Sequence, residues 1–377
     1  MTDSPPPSTP SSAYRALRIR PGYIIALLLV LAAVVLMVSF FERVPIEGTM
    51  FAIDWQALYW GLQGGHVAYQ GGSVMIAPWS LPVVLPLGFF SMRAGWGLLA
   101  LCTITTLVLS VPRRRNFLLG IFLLVTSYPA LRLLMDGNFE FLVIAGVVLI
   151  VYGFRGGHLL AIVAGILLAT AKPQETWIFM IVLGVYLLRT WSLQRIFELA
   201  MSLAIVVVPA LILFGGQWLG AMKGIVPPPG TLIDISLWAG LGRMGAPDAV
   251  RIVVWALFFV VTLFIALRAK PTLSREKAGM LVAISLLLAP YAAANSYLTP
   301  FAVGVIPMWQ SRPRLGWLVL VLTDIQIIFG YEFMYWNGAY YTDALLILLW
   351  GIWCWQIYQT EIRKPEPPPA QNATAFV

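Results

Sequence analysis

The chain has 377 residues, of which 60% are hydrophobic and 11% charged, against roughly 45–50% and about 25% in soluble domains. With a mean hydropathy of +0.86, no soluble core could hide so much apolar surface behind so few charges, which excludes a soluble globular protein. Two cysteines and two histidines in all exclude a disulfide scaffold and a paired-cysteine metal site, and argue against a histidine-built metal centre.

The predicted fold is all-α, a polytopic transmembrane helical bundle. A span needs ~20 residues, so about twelve helices fill the chain and leave no room for a second soluble domain. Residues 1–20 are Pro/Ser-rich and then basic, the composition of a disordered tail. The apolar run 22–41 that follows is long enough to span, so it is not a cleavable signal peptide. Arg15, Arg18 and Arg20 precede it and assign the N-terminus to the cytoplasm.

The first outer loop reads FAIDWQALYWGLQGGHVAYQGG. From Asp54 to Gln63 the spacing is helical, with Trp55, Leu58, Tyr59 and Leu62 on one face, which predicts a helix lying in the membrane interface. Gly64 and Gly65 end it. The segment 78–111 is too long for one helix. Two crossings would carry Arg113, Arg114 and Arg115 outside, so an outer half-helix at 81–91 and one crossing at 94–111 are expected.

Apolar runs then predict helices near 116–132, 138–154, 158–171, 175–189, 196–215, 249–267, 277–291, 298–310, 315–330 and 342–358. Residues 21–359 form one transmembrane domain, and 360–377 a cytoplasmic tail. Most of the 24 basic residues then fall inside, leaving Arg43, Arg93, Arg132, Lys172, Lys223, Arg243 and Arg251 outside. This bias obeys the positive-inside rule. The formal charge of +8 is therefore topology, and no nucleic-acid partner is implied.

Glu42, Glu47, Asp54, Asp136, Glu140, Glu175, Asp234, Asp248, Glu332 and Asp343 all map to the outer side or to outer helix ends, as do the long connections 42–93 and 216–248. Chemistry is expected there. Asp54, at the start of the interfacial helix, is either an N-cap or a general base, and the roles are compatible. Lys172 lies at the outer headgroup level against the charge trend. It either snorkels, pairs with Glu175, or contacts a phosphate. Arg132 faces the same choice between Asp136 and a phosphate, and Arg243 lies in a loop able to cover a site, near Trp238. Asp324 is the one acidic residue deep in an apolar run, a functional candidate or a hydrogen-bond partner of its neighbours. His66, after two glycines, is a solvated loop residue or part of a site. No Gly-rich nucleotide loop, Walker motif or HExxH occurs.

Taken in order, these residues resemble a known family. An outer-loop Asp after the first helix, then a Tyr-bearing amphipathic helix, Gly and Tyr, is similar to the polyprenol-phosphate-dependent membrane glycosyltransferases of the GT-C fold. The nearest pattern is that of glycosyltransferase family 87, the alpha-mannosyltransferase-like group. The matching residues are Asp54-Trp55, Tyr59, Leu62, Gly64 and Tyr69, then Pro78 and Pro82. Further along come Gly137-Asn138 with Glu140, the small-residue helix from Gly165 to Lys172-Pro173-Gln174, and Pro290-Tyr291 with Asn295 and Tyr297. The chain departs from the pattern in a shorter Asp54–Tyr69 segment, in Ala68 where a proline precedes the Tyr, and in having neither His nor Asp near Asn295.

The resemblance implies a GT-C-like bundle with its active site on the outer face of a bacterial plasma membrane and both termini cytoplasmic. It implies transfer of a hexose, mannose by the family's default, from a polyprenyl-phosphate donor to a glycolipid or glycan acceptor, with inversion. Asp54 would be the general base, Lys172, Arg132 and Arg243 would hold the donor phosphate, and Gln174, Glu140, Asn295, Tyr59 and His66 would bind sugar or acceptor. No cofactor or metal is expected; the partners are the lipid-linked sugar, the acceptor and membrane lipids. The alternatives are a lipid or sugar transporter or flippase, and an inactive family member.

Overall fold

Serine caps, prolines and glycines cut the apolar chain into helices in the computed structural model, which describes residues 21–46, 51–63, 76–114, 116–225, 234–325 and 339–363. Helix α1 is Pro21–Phe41, α2 Ile53–Gln63, and α3 the irregular helical stretch Pro78–Phe89. Then come α4 Met92–Ser110, α5 Phe117–Val125, α6 Tyr128–Asp136, α7 Glu140–Gly156, α8 Leu159–Ala169 and α9 Pro173–Thr190. The rest are α10 Leu193–Ile225, α11 Leu237–Arg243, α12 Asp248–Arg268 and α13 Arg275–Leu287. Next, α14 runs through Leu298–Pro300, a π-helical turn Phe301–Val305 and Ile306–Ser311; α15 is Pro313–Asp324 and α16 Ala339–Ile357. Among the described residues there is no strand, only an isolated bridge between Asp234 and Ala293.

The local signals explain these boundaries. Ser91, Ser127, Ser236 and Ser274 accept from the amides of Ala94, Ala130, Ala239 and Lys277, satisfying orphan donors at the starts of α4, α6, α11 and α13. Pro173 and Pro313 open α9 and α15, where their missing N–H is harmless. Gly137 and Gly157 close α6 and α7 in the left-handed conformation, with φ of 65° and 67°.

One predicted helix is broken. The run 116–132 becomes α5 and α6, bent by 51°. Thr126 bonds back to Phe122 O, Ser127 begins a new helix, and Pro129 has no N–H to continue the old one. The predicted interfacial helix over 54–63 and half-helix over 81–91 both exist, as α2 and α3.

Among the described residues three helices are long and apolar enough to cross a membrane, Met92–Ser110, Leu193–Ala221 and Asp248–Arg268, and the α5–α6 pair would make a fourth. Helix α10 exposes Phe197, Ile205 and Ile212, and α12 exposes Ile252, Leu257 and Phe264. Contiguous apolar surface of this kind suits hydrocarbon, not water. Most of the other helices are too short to span or carry polar first turns, such as Glu140 and Glu175, so a count of about twelve crossings goes beyond what length and composition establish.

Two close crossings organise the interior. A Cβ on Gly146 would lie 2.2 Å from Ala169 N, and one on Gly165 2.8 Å from Gly146 O, so α7 and α8 touch backbone to backbone. Gly279 on α13 and Gly304 on α14 do the same, at 2.4 Å. The antiparallel α7–α8 hairpin therefore returns the chain to Glu140 just where Lys172 follows α8. At the opposite end, basic side chains bond to carbonyls: Arg155 to Leu273 O, Arg195 to Gly157 O and Arg275 to Ser110 O, while Lys277 pairs with Glu361.

Candidate active site

Helix α2 is anchored from its buried face. Trp55 and Leu58 are buried, and the Trp55 indole donates to Met92 O at 2.7 Å. Tyr59, one turn on, is half-buried and donates to Phe90 O at 3.3 Å. Leu62 and His66 fall on side chains or residues outside those described. The start of α2 rests on the end of α6: Ala52 N donates to Met135 O at 2.6 Å, and a Cβ on Gly137 would lie 2.8 Å from Trp55 Cβ. Only glycine fits there, both for its φ and for this contact. The turn after Gly137 sets Asn138 beside Asp54.

Asp54 is not the N-cap. It sits inside the first turn, after Ala52 and Ile53, and its carboxylate serves tertiary contacts. Asn138 Nδ2 donates to Asp54 Oδ2 at 2.6 Å, and Asn295 Nδ2 donates to the same oxygen at 3.4 Å. Asp54 is half-buried, whereas the residues behind it are buried. Lys172 Nζ donates to Asn138 Oδ1 at 2.9 Å and to Glu140 Oε2 at 2.9 Å, and pairs with Glu175 Oε1 at 3.2 Å. Thr299 donates to Glu140 Oε1, and Ser296 donates to Glu175 Oε1 at 2.5 Å. Burial pulls the Lys172 ammonium down, but Glu140 and Glu175 outweigh it and hold its pKa above the usual lysine range.

The candidate residues thus divide. Asp54, Glu140, Lys172 and Asn295, from α2, the α6–α7 and α8–α9 turns and the segment before α14, meet in one network. Gln174 is half-buried beside it, with Oε1 buried and without a hydrogen-bond partner, as is Asn295 Oδ1. Arg132 pairs with Asp136 at 2.9 Å, the local i,i+4 ion pair, and Asp136 lies within electrostatic reach of Asp54. Arg243 belongs to a neighbouring cluster. Its guanidinium donates to Asp234 O and to Asp343 Oδ2, both at 2.6 Å, linking α11 to α16. Asp234 Oδ1 accepts from the amides of Ser236 and Ala292; burial raises its carboxyl above the usual range against these bonds and Arg243. Tyr291 lies between the two clusters, within electrostatic reach of Asp234, Lys172, Asp54 and Glu175.

Asp324 has a structural partner. Its Oδ1 accepts from Tyr128 N at 3.0 Å, capping the first turn of α6 at the bend. Trp238 packs against Arg251, whose guanidinium carbon lies 5.7 Å from the centre of its ring.

Sequence reasoning did not single out Asn138, Ser296 and Thr299 as site residues. Asn138 carried a usable signal, since it follows a glycine at a helix end. A hydroxyl in an apolar run carries none, because most such groups bond within their own helix. Among the described residues no three His, Cys, Asp or Glu gather as metal ligands. Comparison of the chain with family models, with curated proteins and with solved structures finds no match.

Proposed function

We propose that this protein is a polyprenyl-phosphate-dependent membrane glycosyltransferase with a GT-C-like bundle of about twelve crossings. The bundle end that carries Asp54 faces the extracytoplasmic side, and the basic end, with Arg155, Arg275 and Lys277, faces the cytoplasm. The observation that carries the reading is Asp54 itself: a half-buried carboxylate at the start of a short helix, held by two amides and backed by a buried polar network. Helix caps do not need such a setting. A general base does, because it must be aimed and still be reachable.

In the reaction, an acceptor hydroxyl attacks C1 of a hexose, mannose by family default. Its proton passes to Asp54, the C1–O bond to the phosphate breaks, and the electron pair leaves on the phosphate oxygen. Attack opposite the leaving group inverts the anomeric centre. Arg132, whose side chain is 28% exposed, is the cation most open to the leaving phosphate. Gln174 Oε1 and Asn295 Oδ1, buried acceptors without partners, suit sugar or acceptor hydroxyls. The donor chain lies among membrane lipids, and the exposed tip of α3, where Phe89 is 88% exposed, dips into the same layer.

The test is sugar transfer in membranes containing the protein, with a panel of labelled polyprenyl-phosphate hexoses and endogenous acceptors. Asp54→Asn at equal expression should lose transfer by ~10²–10⁴-fold. Transfer that survives the change moves the base elsewhere. Movement of the lipid-linked sugar across the bilayer without transfer would make the protein a flippase instead.

A further inference from the structure

Lys172 invites a phosphate-binding role, yet its surroundings leave little room for one. An ammonium has three N–H donors and no acceptor. Two donate in hydrogen bonds to Asn138 and Glu140, Glu175 pairs with the same ammonium at 3.2 Å, and the residue is 6% exposed. A phosphate oxygen would have to enter a buried position between two carboxylates and displace one of them. Glu140 cannot swing aside easily. It sits in the first turn of α7, and its other oxygen is held by Thr299.

The consequence lies at Asn138. Its Oδ1 faces a group that can only donate, and its Nδ2 faces a carboxylate that can only accept. The amide therefore has one orientation, fixed from both ends. The contact to Asp54, at 2.6 Å, is much shorter than the 3.4 Å contact from Asn295. Asn138 is thus the group that sets where Asp54 points, and Lys172 is the group that sets Asn138.

We propose that Lys172 is a positioning residue: anchored by Glu140, it locks the Asn138 amide, which aims the Asp54 carboxylate at the acceptor, and it does not bind the donor phosphate. The role assigned to the aim rests on Asp54 being the base. The lock itself does not, so the two can fail separately.

Two experiments separate them. The first is kinetic, with Lys172→Gln and Lys172→Met. Gln keeps a neutral donor for Asn138, and Met keeps none. A positioning role predicts that kcat falls by at least ~10-fold in the Met variant, that donor KM stays within ~3-fold, and that Gln recovers part of the loss. A rise in donor KM with kcat unchanged, shared equally by the two variants, overturns the proposal and makes Lys172 a phosphate ligand.

The second needs no substrate. Carbodiimide labels protonated carboxyls, so its reaction with Asp54, followed by mass spectrometry of the purified full chain, reports the carboxylate's surroundings. Asn138→Asp keeps an acceptor for Lys172 but turns a second carboxylate on Asp54, whose other titratable neighbours are Asp136, Lys172, Tyr291 and, further back, Glu140 and Glu175. The pH of half-labelling should rise by about one unit, because a like charge disfavours ionisation. An unmoved labelling curve overturns the proposal. A shifted curve in a protein that transfers no sugar retains the lock and rejects the transferase reading.

Discussion

Lys172 and Lys277 are almost equally buried, at 6% and 5% exposed, yet they do different things. Lys277 lies at the start of α13. It pairs with Glu361 at 3.1 Å, donates to Lys270 O at 2.9 Å, and lies 4.9 Å from the Tyr186 ring. Glu361 in turn accepts from Lys270 N. That network closes on itself and clamps the turn after α16 to the α12–α13 connection. Its carboxylate is 15% exposed, so water shares its charge. Lys172 meets two buried carboxylates and one amide, and the amide leads outward to the half-buried Asp54. A buried lysine is thus not a site in itself. It matters where its network ends, and the Lys172 network is the one that ends on a half-buried carboxylate at the start of a short helix.

The contrast can be broken most sharply at the lysines. Lys172→Met leaves Glu140 and Glu175 buried without a cation, so unfolding free energy should drop by about 3–5 kcal/mol. Lys277→Met exposes one carboxylate that is already partly hydrated, and should cost about 1–2 kcal/mol. Denaturant titration of the two variants in one detergent checks the order; equal losses would mean that carboxylate burial does not set the difference.

A smaller effect should come from the crossing that brings Lys172 to Glu140. Gly146→Ala forces a Cβ against Ala169 N, 2.2 Å away before relaxation, which should cost about 1–3 kcal/mol. It should also disturb Asp54 labelling while leaving the Lys277 end intact, since that clamp sits on other helices. The smallest effect on the site is expected from Glu361→Gln. This keeps a hydrogen-bond acceptor for Lys277 and Lys270 N but strips a buried ammonium of its counter-charge, so it should cost about 1–3 kcal/mol, with transfer and Asp54 labelling unchanged. A change in either would tie the two ends together.

Much of the fold was legible in the residue order. Apolar run length, serine caps, prolines and glycines predicted the helices, including interfacial α2 and the half-helix α3. They did not predict the bend at Thr126–Ser127, because Thr and Ser are tolerated inside apolar helices. Only the neighbouring proline together with the cap at Ser127 and the acceptance of Tyr128 N by Asp324 makes a break there. Within the site, Asp54, Glu140 and Lys172 could be selected because polar groups at apolar helix ends are costly and stand out, whereas Asn295 came only from the family resemblance. Their pairing could not. Lys172 has Glu175 three residues away, yet it also takes Glu140 and Asn138 from the far side of the α7–α8 hairpin. Arg132 keeps its local partner, and Arg243 takes Asp343 from a helix a hundred positions on.

The sequence by itself determined that the protein is helical and that several of its helices suit a bilayer. These follow from hydropathy, charge and capping, which act over a few residues and can be read along the chain. The tertiary structure alone decided which polar groups meet. The backbone contacts at Gly146–Ala169 and Gly137–Trp55 bring the α6–α7 and α8–α9 turns to Asp54. In a low-dielectric interior each buried donor must find an acceptor, so once those crossings are set the partners are fixed by geometry and not by nearness in sequence.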